Sequence, residues 1–282
     1  MRILLTGADG QVGQALGLVL AARHTLLLTS HTSLDISDYR SVEEVVRARP
    51  DLVIHPAAFT HVDGCALDPD KAYRVNGLGT RHMALACQRL DIPLVYLSTN
   101  EVFDGTATTP YHEWDLPHPI NPYASSKWAG EQFVQQLCQK FYIVRIAWVF
   151  GGAHNFVQTV LRLADERPML AVVQDEIGNP TYAPDLAAAV GALIQEPAYG
   201  IYHFVNEGYC SRFEFAHEIL RLAGKAIDVQ PITLAEYKRA STPPPFTPLR
   251  NFVGAIDLGI TLRPWQEALA TYLMTLAAVR RA

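Results

Sequence analysis

The feature that most constrains the fold is the N-terminal segment RILLTGADGQVG, where a short apolar run leads into three evenly spaced glycines. Gly7, Gly10 and Gly13 stand between a predicted strand and a predicted helix. A strand, a glycine turn and a helix in this order can bind a dinucleotide, because the backbone can approach the pyrophosphate and the helix N-terminus favours negative charge. Three glycines alone also fit an ordinary tight turn, so their place between the two elements carries the prediction.

The rest of the first half alternates short apolar runs with longer amphipathic segments. This order predicts an α/β fold, a doubly wound parallel sheet of the modified Rossmann type with a smaller α/β substrate lobe. The predicted strands are 2–6, 25–29, 51–55, 93–98, 142–149 and 200–205. The predicted helices are 11–22, one opened by a capping box at 41–44, 71–90, 123–140, 155–166, 185–195, 212–223 opened by a second capping box at 211–214, and 265–279.

We expect two lobes. Residues 1–151 are predicted to form the dinucleotide-binding domain, with 178–206 returning to it, and 152–177 and 207–282 to form mainly the substrate-binding lobe. The proline-rich segment STPPPFTPLR at 241–250 cannot be regular structure, and we expect a plain surface connection rather than a peptide-recognition site. Glu113, in an acidic loop, is expected to be a solvated loop residue.

Composition excludes several function classes. The 282 residues carry 23 basic and 28 acidic side chains, a net charge of −5, without a long basic run, which argues against a nucleic-acid partner. The four cysteines have neither zinc nor disulfide spacing, which indicates a reducing compartment. The opening apolar run is too short for a signal peptide and no stretch is apolar enough to span a bilayer. We therefore expect a cytoplasmic protein without a membrane partner.

The end of the second strand bears on the choice of dinucleotide. A carboxylate there would bind the adenosine ribose diol and exclude a 2′-phosphate. Here the strand ends in Thr29, Ser30 and His31, and the next acid is Asp35. This favours NADPH, with NADH left open because an arginine that would bind the phosphate is missing from the segment.

A Tyr–Lys pair indicates the chemistry. Tyr123 and Lys127 are four residues apart at a predicted helix start, so both side chains lie on one helix face. A phenol of pKa near 10 needs its anion stabilised to exchange protons at neutral pH, and a neighbouring ammonium does this. Thr99 stands at the carboxyl end of a predicted strand, where ligands of open α/β sheets bind. The three residues predict a catalytic trio that reduces a carbonyl or oxidises an alcohol.

Taken together, ordered segments of the chain resemble the extended short-chain dehydrogenases/reductases, and among them the dTDP-4-dehydrorhamnose reductases. The resemblance covers nearly the whole chain. It is carried by GADGQVG at 7–13, LDISD at 34–38, HPAAFTHVD at 55–63, LSTNEVFDG at 97–105, NPYASSKWAGE at 121–131, RIAWVFG at 145–151, NFVQTVLRLA at 155–164, GNPTYAPDLA at 178–187, and the pairs 250–251 and 264–265.

The resemblance implies a function and a set of site residues. It implies NAD(P)H-dependent reduction of the 4-keto group of a nucleotide-linked deoxyhexose, dTDP-4-dehydro-L-rhamnose to dTDP-L-rhamnose, by a monomer or homodimer. The implied cofactor-binding residues are Gly7, Gly10, Gln11, Val12, Ser30, His31, Asp35, Ile36, Ala57, Ala58, Thr60, Asn76, Tyr123 and Lys127. The implied substrate-binding residues are Val62, Thr99, Asn100, Glu101, Tyr123 and Trp148.

Two departures from the family pattern leave alternatives open. Asn100 and Glu101 replace an Asp-Tyr pair whose tyrosine contacts substrate in the family, so a reductase for another dTDP-4-keto-6-deoxysugar stays open. The segment 62–66 lacks a lysine and an acid of the family pattern, so we expect no required metal. A second alternative is a non-catalytic, NADP-binding regulatory subunit resembling that of methionine adenosyltransferase. The complete trio argues against this alternative.

Overall fold

The computed structural model describes residues 1–281 and is built around a six-stranded parallel sheet. Its strands are β1 (Arg2–Leu5), β2 (Thr25–Leu28), β3 (Leu52–His55), β4 (Leu94–Thr99), β5 (Phe141–Ile146) and β10 (Gly200–His203). Their order across the sheet is β10-β5-β4-β3-β1-β2. The direction of winding reverses beside β1, and such a reversal leaves a crevice at the carboxyl ends of the strands. The predicted α/β fold is confirmed.

Helices cover both faces of the sheet. One face packs against α1 (Gln11–Leu20) and α8 (Ala183–Leu193), and the other against α2 (Tyr39–Val46), α5 (Gly79–Leu90) and α6 (Pro122–Leu137). The strands β3 and β4 are buried along their whole length, as their nearly continuous apolar sequence requires. Burial on both faces fixes the strands and therefore the positions of the loops at their carboxyl ends.

The remaining elements are short strands and a set of helices. Most of them pack in a third hydrophobic cluster, separate from the clusters on the two faces of the sheet, which includes Phe150, Leu161, Phe215 and Trp265. The strands are β6 (Val149–Phe150), β7 (Met169–Val173), β8 (Ile177–Gly178), β9 (Thr181–Tyr182), β11 (Cys210–Ser211) and β12 (Asp228–Ile232). The helices are α3 (Val62–Leu67), α4 (Pro69–Ala72), α7 (Phe156–Glu166), α9 (Arg212–Leu222), α10 (Val253–Leu258) and α11 (Trp265–Arg281). The division into two lobes stays a prediction; the separate cluster and the entry of β10 into the main sheet support it.

Several predicted boundaries are wrong in informative ways. Helix α2 begins at Tyr39, because Asp38 rather than Ser41 is the N-cap and accepts a hydrogen bond from the Arg40 amide. The single helix predicted over 71–90 is divided into α4, a π-helical turn over Tyr73–Leu78, and α5. The strand predicted over 142–149 ends at Ile146, after which the chain turns toward the short strand β6.

Two segments expected at the surface are largely buried. The segment 241–250 is a loop, as predicted, but Ser241, Thr247 and Leu249 are buried within it, so it is not a plain surface connection. Glu113 is also buried, and its Oε1 accepts hydrogen bonds from the backbone amides of Phe252 and Val253. A carboxylate that accepts backbone N–H bonds can be buried because those donors replace water.

No helix within residues 1–281 is long and apolar enough to cross a membrane.

A fully buried ion pair joins helix α6 to the sheet. Glu131 on α6 and Arg145 on β5 are each almost inaccessible to solvent, and the guanidinium donates to both carboxylate oxygens, at 2.8 Å from Nη2 to Oε2 and 3.0 Å from Nε to Oε1. Ser98 on β4 donates a further hydrogen bond to Glu131. Each charge is therefore compensated, and α6 is held in one register against two strands.

Removing one charge of this pair should destabilise the fold. We expect Glu131→Gln to lower the free energy of unfolding by about 3–5 kcal/mol, because Arg145 stays buried without a counter-ion. Urea denaturation followed by circular dichroism measures the change. Glu166→Gln is the matched control, since the Arg162–Glu166 pair is exposed and should contribute less than about 1 kcal/mol. Equal losses in the two variants would contradict the structural role of the buried pair.

Candidate active site

A cavity of about 870 Å³ opens at the carboxyl ends of the central strands. It collects nearly all the residues predicted to form the site, although they are spread over the first half of the chain. The predicted residues that line it are Gly7, Gly10, Gln11, Val12, Ser30, His31, Asp35, Ile36, Ala57, Ala58, Thr60, Val62, Thr99, Asn100, Glu101, Tyr123, Lys127 and Trp148. Asn76 is the one predicted site residue outside this lining.

Asn76 supports the cavity wall from behind. Its side chain accepts a hydrogen bond from the Phe59 amide at 2.7 Å and donates to the Phe59 carbonyl at 3.0 Å. It also donates to Ser126 on α6 at 2.9 Å. The buried amide therefore ties the loop after β3 to the helix that carries Tyr123 and Lys127.

The glycine turn brings the first helix unusually close to the backbone. Gly7 adopts a φ of +56°, and a Cβ added to Gly13 would lie 2.1 Å from the Gly7 carbonyl oxygen. The N-cap of α1 is Gly10, which supplies no side-chain hydrogen bond to the first turn. The Oε1 atom of Gln11 is buried without a hydrogen-bond partner among the described residues. The uncapped amides and the close approach suit a dinucleotide pyrophosphate.

The edge of the cavity beside β2 is polar and open. The His31 imidazole is 87% exposed and its Nδ1 lies 3.8 Å from Asp9 Oδ2. Ser30 forms a hydrogen bond with Thr32 through its hydroxyl. Asp35 accepts hydrogen bonds from the amide and hydroxyl of Ser37, so its carboxylate is engaged within its own turn. This edge can accommodate a 2′-phosphate on the adenosine ribose.

The start of helix α6 sets the positions of Tyr123 and Lys127. Asn121 is the N-cap and accepts a hydrogen bond from the Ala124 amide at 2.8 Å, and Pro122 occupies the first turn. Tyr123 follows in the same turn, and Lys127 lies one turn further along the same face. Both side chains consequently point into the cavity over the end of β4.

Lys127 is buried and held by fixed partners. Its Nζ donates to the Leu97 carbonyl at 2.7 Å and lies 4.2 Å from the centre of the Tyr96 ring. Burial lowers the pKa of Lys127 to about 7, although the charge of Glu131 acts in the opposite direction. The ammonium is therefore poised to change its charge near neutral pH, and an added negative group in the cavity would favour the charged form.

Tyr123 is a protonated phenol at neutral pH. Burial raises its pKa above the ordinary value, and the charge of Glu101 raises it further, while the Thr99 side chain acts in the opposite direction. A neutral phenol beside Thr99 can donate a proton to a carbonyl oxygen that is gaining charge.

Glu101 is part of the same cavity. Its Oε2 accepts a hydrogen bond from Asn121 at 2.8 Å, and its amide donates to the Thr99 hydroxyl at 3.2 Å. Burial raises the pKa of the Glu101 carboxyl. Position 101 therefore presents a carboxylate acceptor, beside the phenol of Tyr123, to any ligand that enters.

Sequence reasoning missed Arg212. Its side chain lines the cavity next to Trp148, with its Cζ 3.6 Å from the centre of the indole ring. Arg212 is the first residue of α9, more than 60 positions after Trp148, and it belonged only to a predicted capped helix. No local signal could have placed it in the site, because only the folding of β8 against β11 brings it there.

No group of three or more His, Cys, Asp or Glu side chains among residues 1–281 could hold a metal ion.

Comparisons with known proteins agree with this geometry. A family model described as RmlD substrate binding domain matches residues 1–278. The spore coat polysaccharide biosynthesis protein SpsK of Bacillus subtilis is 40% identical over 96% of each chain. The dTDP-4-dehydrorhamnose reductase of Aggregatibacter actinomycetemcomitans is 36% identical over 95% of this chain and 97% of its own length. The dTDP-4-keto-6-deoxy-D-glucose reductase of Streptomyces niveus is 36% identical over 95% of each chain.

A solved structure shows the same fold. The dTDP-4-dehydrorhamnose reductase of Bacillus anthracis, determined in complex with NADP, superposes with a TM-score of 0.94. It is 38% identical, and the match covers 97% of this chain and 99% of the other. A likeness of this extent means that the two chains share one fold over nearly their whole length.

A bulky side chain at the glycine turn should block the dinucleotide. Gly10→Val should weaken NADPH binding more than tenfold, because a Cβ there has one close protein neighbour, Gly7 O at 3.3 Å, and the branched side chain would occupy the space for phosphate. Fluorescence titration with NADPH measures the affinity. Gly17→Val is the control, since a Cβ at Gly17 meets no atom within 4 Å. Normal binding by Gly10→Val would place the pyrophosphate elsewhere.

Proposed function

Because the chain belongs to the RmlD substrate binding domain family, we propose that it reduces the 4-keto group of dTDP-4-dehydro-L-rhamnose to give dTDP-L-rhamnose. NADPH is the hydride donor, with NADH as the alternative. The observation that carries this proposal is that Thr99, Tyr123 and Lys127 line the same cavity as the glycine turn. A proton donor and a dinucleotide site that share one cavity are what a carbonyl reductase needs.

The cofactor-binding residues follow from the shape of the turn. The first-turn amides of α1 and the glycines before it would hold the pyrophosphate, and Ser30 and His31 would face the 2′-phosphate. Ala57 and Ala58 leave room for the rest of the dinucleotide beside β3. When bound, NADPH supplies the hydride that reduces the carbonyl carbon.

The proton comes from Tyr123. Its neutral phenol donates to the carbonyl oxygen as that oxygen gains negative charge, and the Thr99 hydroxyl donates a hydrogen bond to the same atom. The Lys127 ammonium stabilises the phenolate left behind, which lowers the cost of the transfer. Burial of all three groups excludes water and strengthens each of these interactions.

The sugar nucleotide would lie between the sheet edge and the third cluster. Val62 and Trp148 provide apolar surface there, and Asn100 and Glu101 provide polar groups. The complete trio and its burial beside the glycine turn support turnover rather than a purely regulatory role for the chain.

A second candidate function is reduction of a different dTDP-4-keto-6-deoxysugar. The observation that favours it is Glu101, whose carboxylate beside Tyr123 can select the hydroxyl pattern of the sugar ring. The similarity to the Streptomyces niveus protein, a dTDP-4-keto-6-deoxy-D-glucose reductase, supports the same reading. The two candidates share the chemistry and differ only in the substrate.

The finer expectations about partners and location are also proposals. We infer action in the cytoplasm, since all four cysteines are free and buried, which suits a reducing compartment. We infer a monomer or homodimer that binds no nucleic acid, in keeping with the net charge of −5.

The direct test is oxidation of NADPH, followed at its absorbance, with each candidate keto-sugar. We expect rapid oxidation with dTDP-4-dehydro-L-rhamnose and formation of dTDP-L-rhamnose. Tyr123→Phe should lower kcat by roughly 10²- to 10⁴-fold, because it removes the proton donor. Faster turnover of dTDP-4-keto-6-deoxy-D-glucose would support the second candidate, and near-normal turnover by Tyr123→Phe would remove the phenol from the mechanism.

The charge of Lys127 should appear in the pH profile. Because its pKa is lowered to about 7 and its charged form is the active one, kcat/KM for NADPH, which reports the enzyme before NADPH binds, should fall as the pH rises through about 7. Well above that pKa the fall should approach about tenfold per pH unit. Initial rates between pH 6 and 9 measure the profile. Lys140→Met, which removes a surface lysine, should leave its shape unchanged, whereas a rate that is constant up to pH 9 would contradict the assignment.

A further inference from the structure

The proposed mechanism leaves two cations of the cavity, Lys71 and Arg212, without a role. Lys127 belongs to the trio, and Lys71 lies 4.8 Å from the centre of the Phe59 ring, beside the loop that follows β3. Arg212, which stacks on Trp148, is the third Lys or Arg side chain among the described lining residues.

Arg212 is held rigidly in place. Its Nε donates to Glu176 Oε1 at 2.9 Å, Nη2 lies 2.9 Å from the same oxygen, and its backbone amide donates to the Glu176 carbonyl at 3.1 Å. The guanidinium stacks on Trp148 and also lies 5.2 Å from the centre of the Phe156 ring. A guanidinium fixed in this way loses little conformational freedom when it binds a ligand.

Trp148 is itself fixed from a second side. It adopts a φ of +38°, and a Cβ added to Gly178 would lie 2.7 Å from its Cε2 atom. The indole is therefore packed closely against the backbone of Gly178, and Arg212 covers its face. Arginine, indole and glycine form a preorganised wall of the cavity.

The guanidinium keeps donors for a ligand. Of the five N–H groups of an arginine, the contacts with Glu176 use one on Nε and one on Nη2. The other three have no acceptor among the described residues, and 22% of the side chain is exposed. A planar guanidinium with a fork of free N–H donors matches the geometry of phosphate oxygens.

We propose that Arg212 binds the diphosphate that joins the sugar to its nucleoside. This inference rests on the proposed function, because it assumes a nucleotide sugar as substrate. The diphosphate is the charged part of such a molecule, and the carboxylates of Glu101 and Glu176 in the same region would repel it if Arg212 were absent. Arg212 is therefore a substrate-binding residue that sets the requirement for a nucleoside diphosphate.

The test uses dTDP as the probe, in the full-length protein with NADPH bound. Arg212→Met should weaken dTDP binding by roughly 10- to 100-fold, as expected for loss of charge-assisted hydrogen bonds, and should leave NADPH affinity unchanged. Arg212→Lys, which keeps the charge and loses the planar fork, should lose less affinity than Arg212→Met. Isothermal titration calorimetry gives each affinity. Arg162→Met, at an exposed arginine of α7, is the matched control.

The outcomes separate this inference from the proposed function. If the wild-type protein binds no dTDP and reduces no dTDP-linked keto-sugar, the proposed function fails and the inference with it. If the wild type binds dTDP and Arg212→Met binds it equally well, the inference alone is overturned. If both Arg212 variants lose affinity equally and the affinity of the wild type for dTDP does not fall with added salt, Arg212 acts only by stacking on Trp148, which also overturns the inference. If Arg212→Met does not fold, Arg212→Lys is measured at low and high salt. A dTDP affinity that falls with added salt supports the inference, since a phosphate contact weakens with salt, and an affinity that does not change overturns it.

Discussion

The buried ion pair between Glu131 and Arg145 is the constraint on which the site depends. Arg145 belongs to the sheet, and Glu131 lies one helical turn after Lys127 on the face that also carries Tyr123. A displacement of α6 along its axis would leave two buried charges uncompensated, at a cost comparable to the stability of a whole domain. The same hydrogen bonds that stabilise the fold therefore fix the phenol and the ammonium over the end of β4.

Burial then determines how these groups behave. It keeps Tyr123 protonated and lowers the pKa of Lys127 to about 7. Both effects prepare the site for a negatively charged dinucleotide, whose phosphates favour the ammonium form. Arg212, stacked on Trp148, supplies a further positive charge in the same cavity. The cavity thus combines a proton donor with a guanidinium that can bind an anion, and reduction of a nucleotide-linked keto-sugar needs both.

Much of this could be predicted from sequence where the signal is local. The glycine turn depends on three residues within seven positions, and the Tyr–Lys pair depends on one helical turn. Local patterns failed where two candidate caps lay close together, as at α2, where Asp38 rather than Ser41 is the N-cap and accepts the Arg40 N–H. They also failed for Glu113, because its burial depends on amide donors almost 140 residues away along the chain.

The sequence by itself determined the six strands of the main sheet, and it predicted the dinucleotide turn and the catalytic trio, since these follow from spacings that the backbone geometry imposes. Only the tertiary structure decided which distant side chains complete the site. Arg212 reaches Trp148 because β8 and β11 pair, and Asn121 reaches Glu101 because α6 packs over the end of β4. Such contacts depend on the path of the whole chain, and no local periodicity encodes that path.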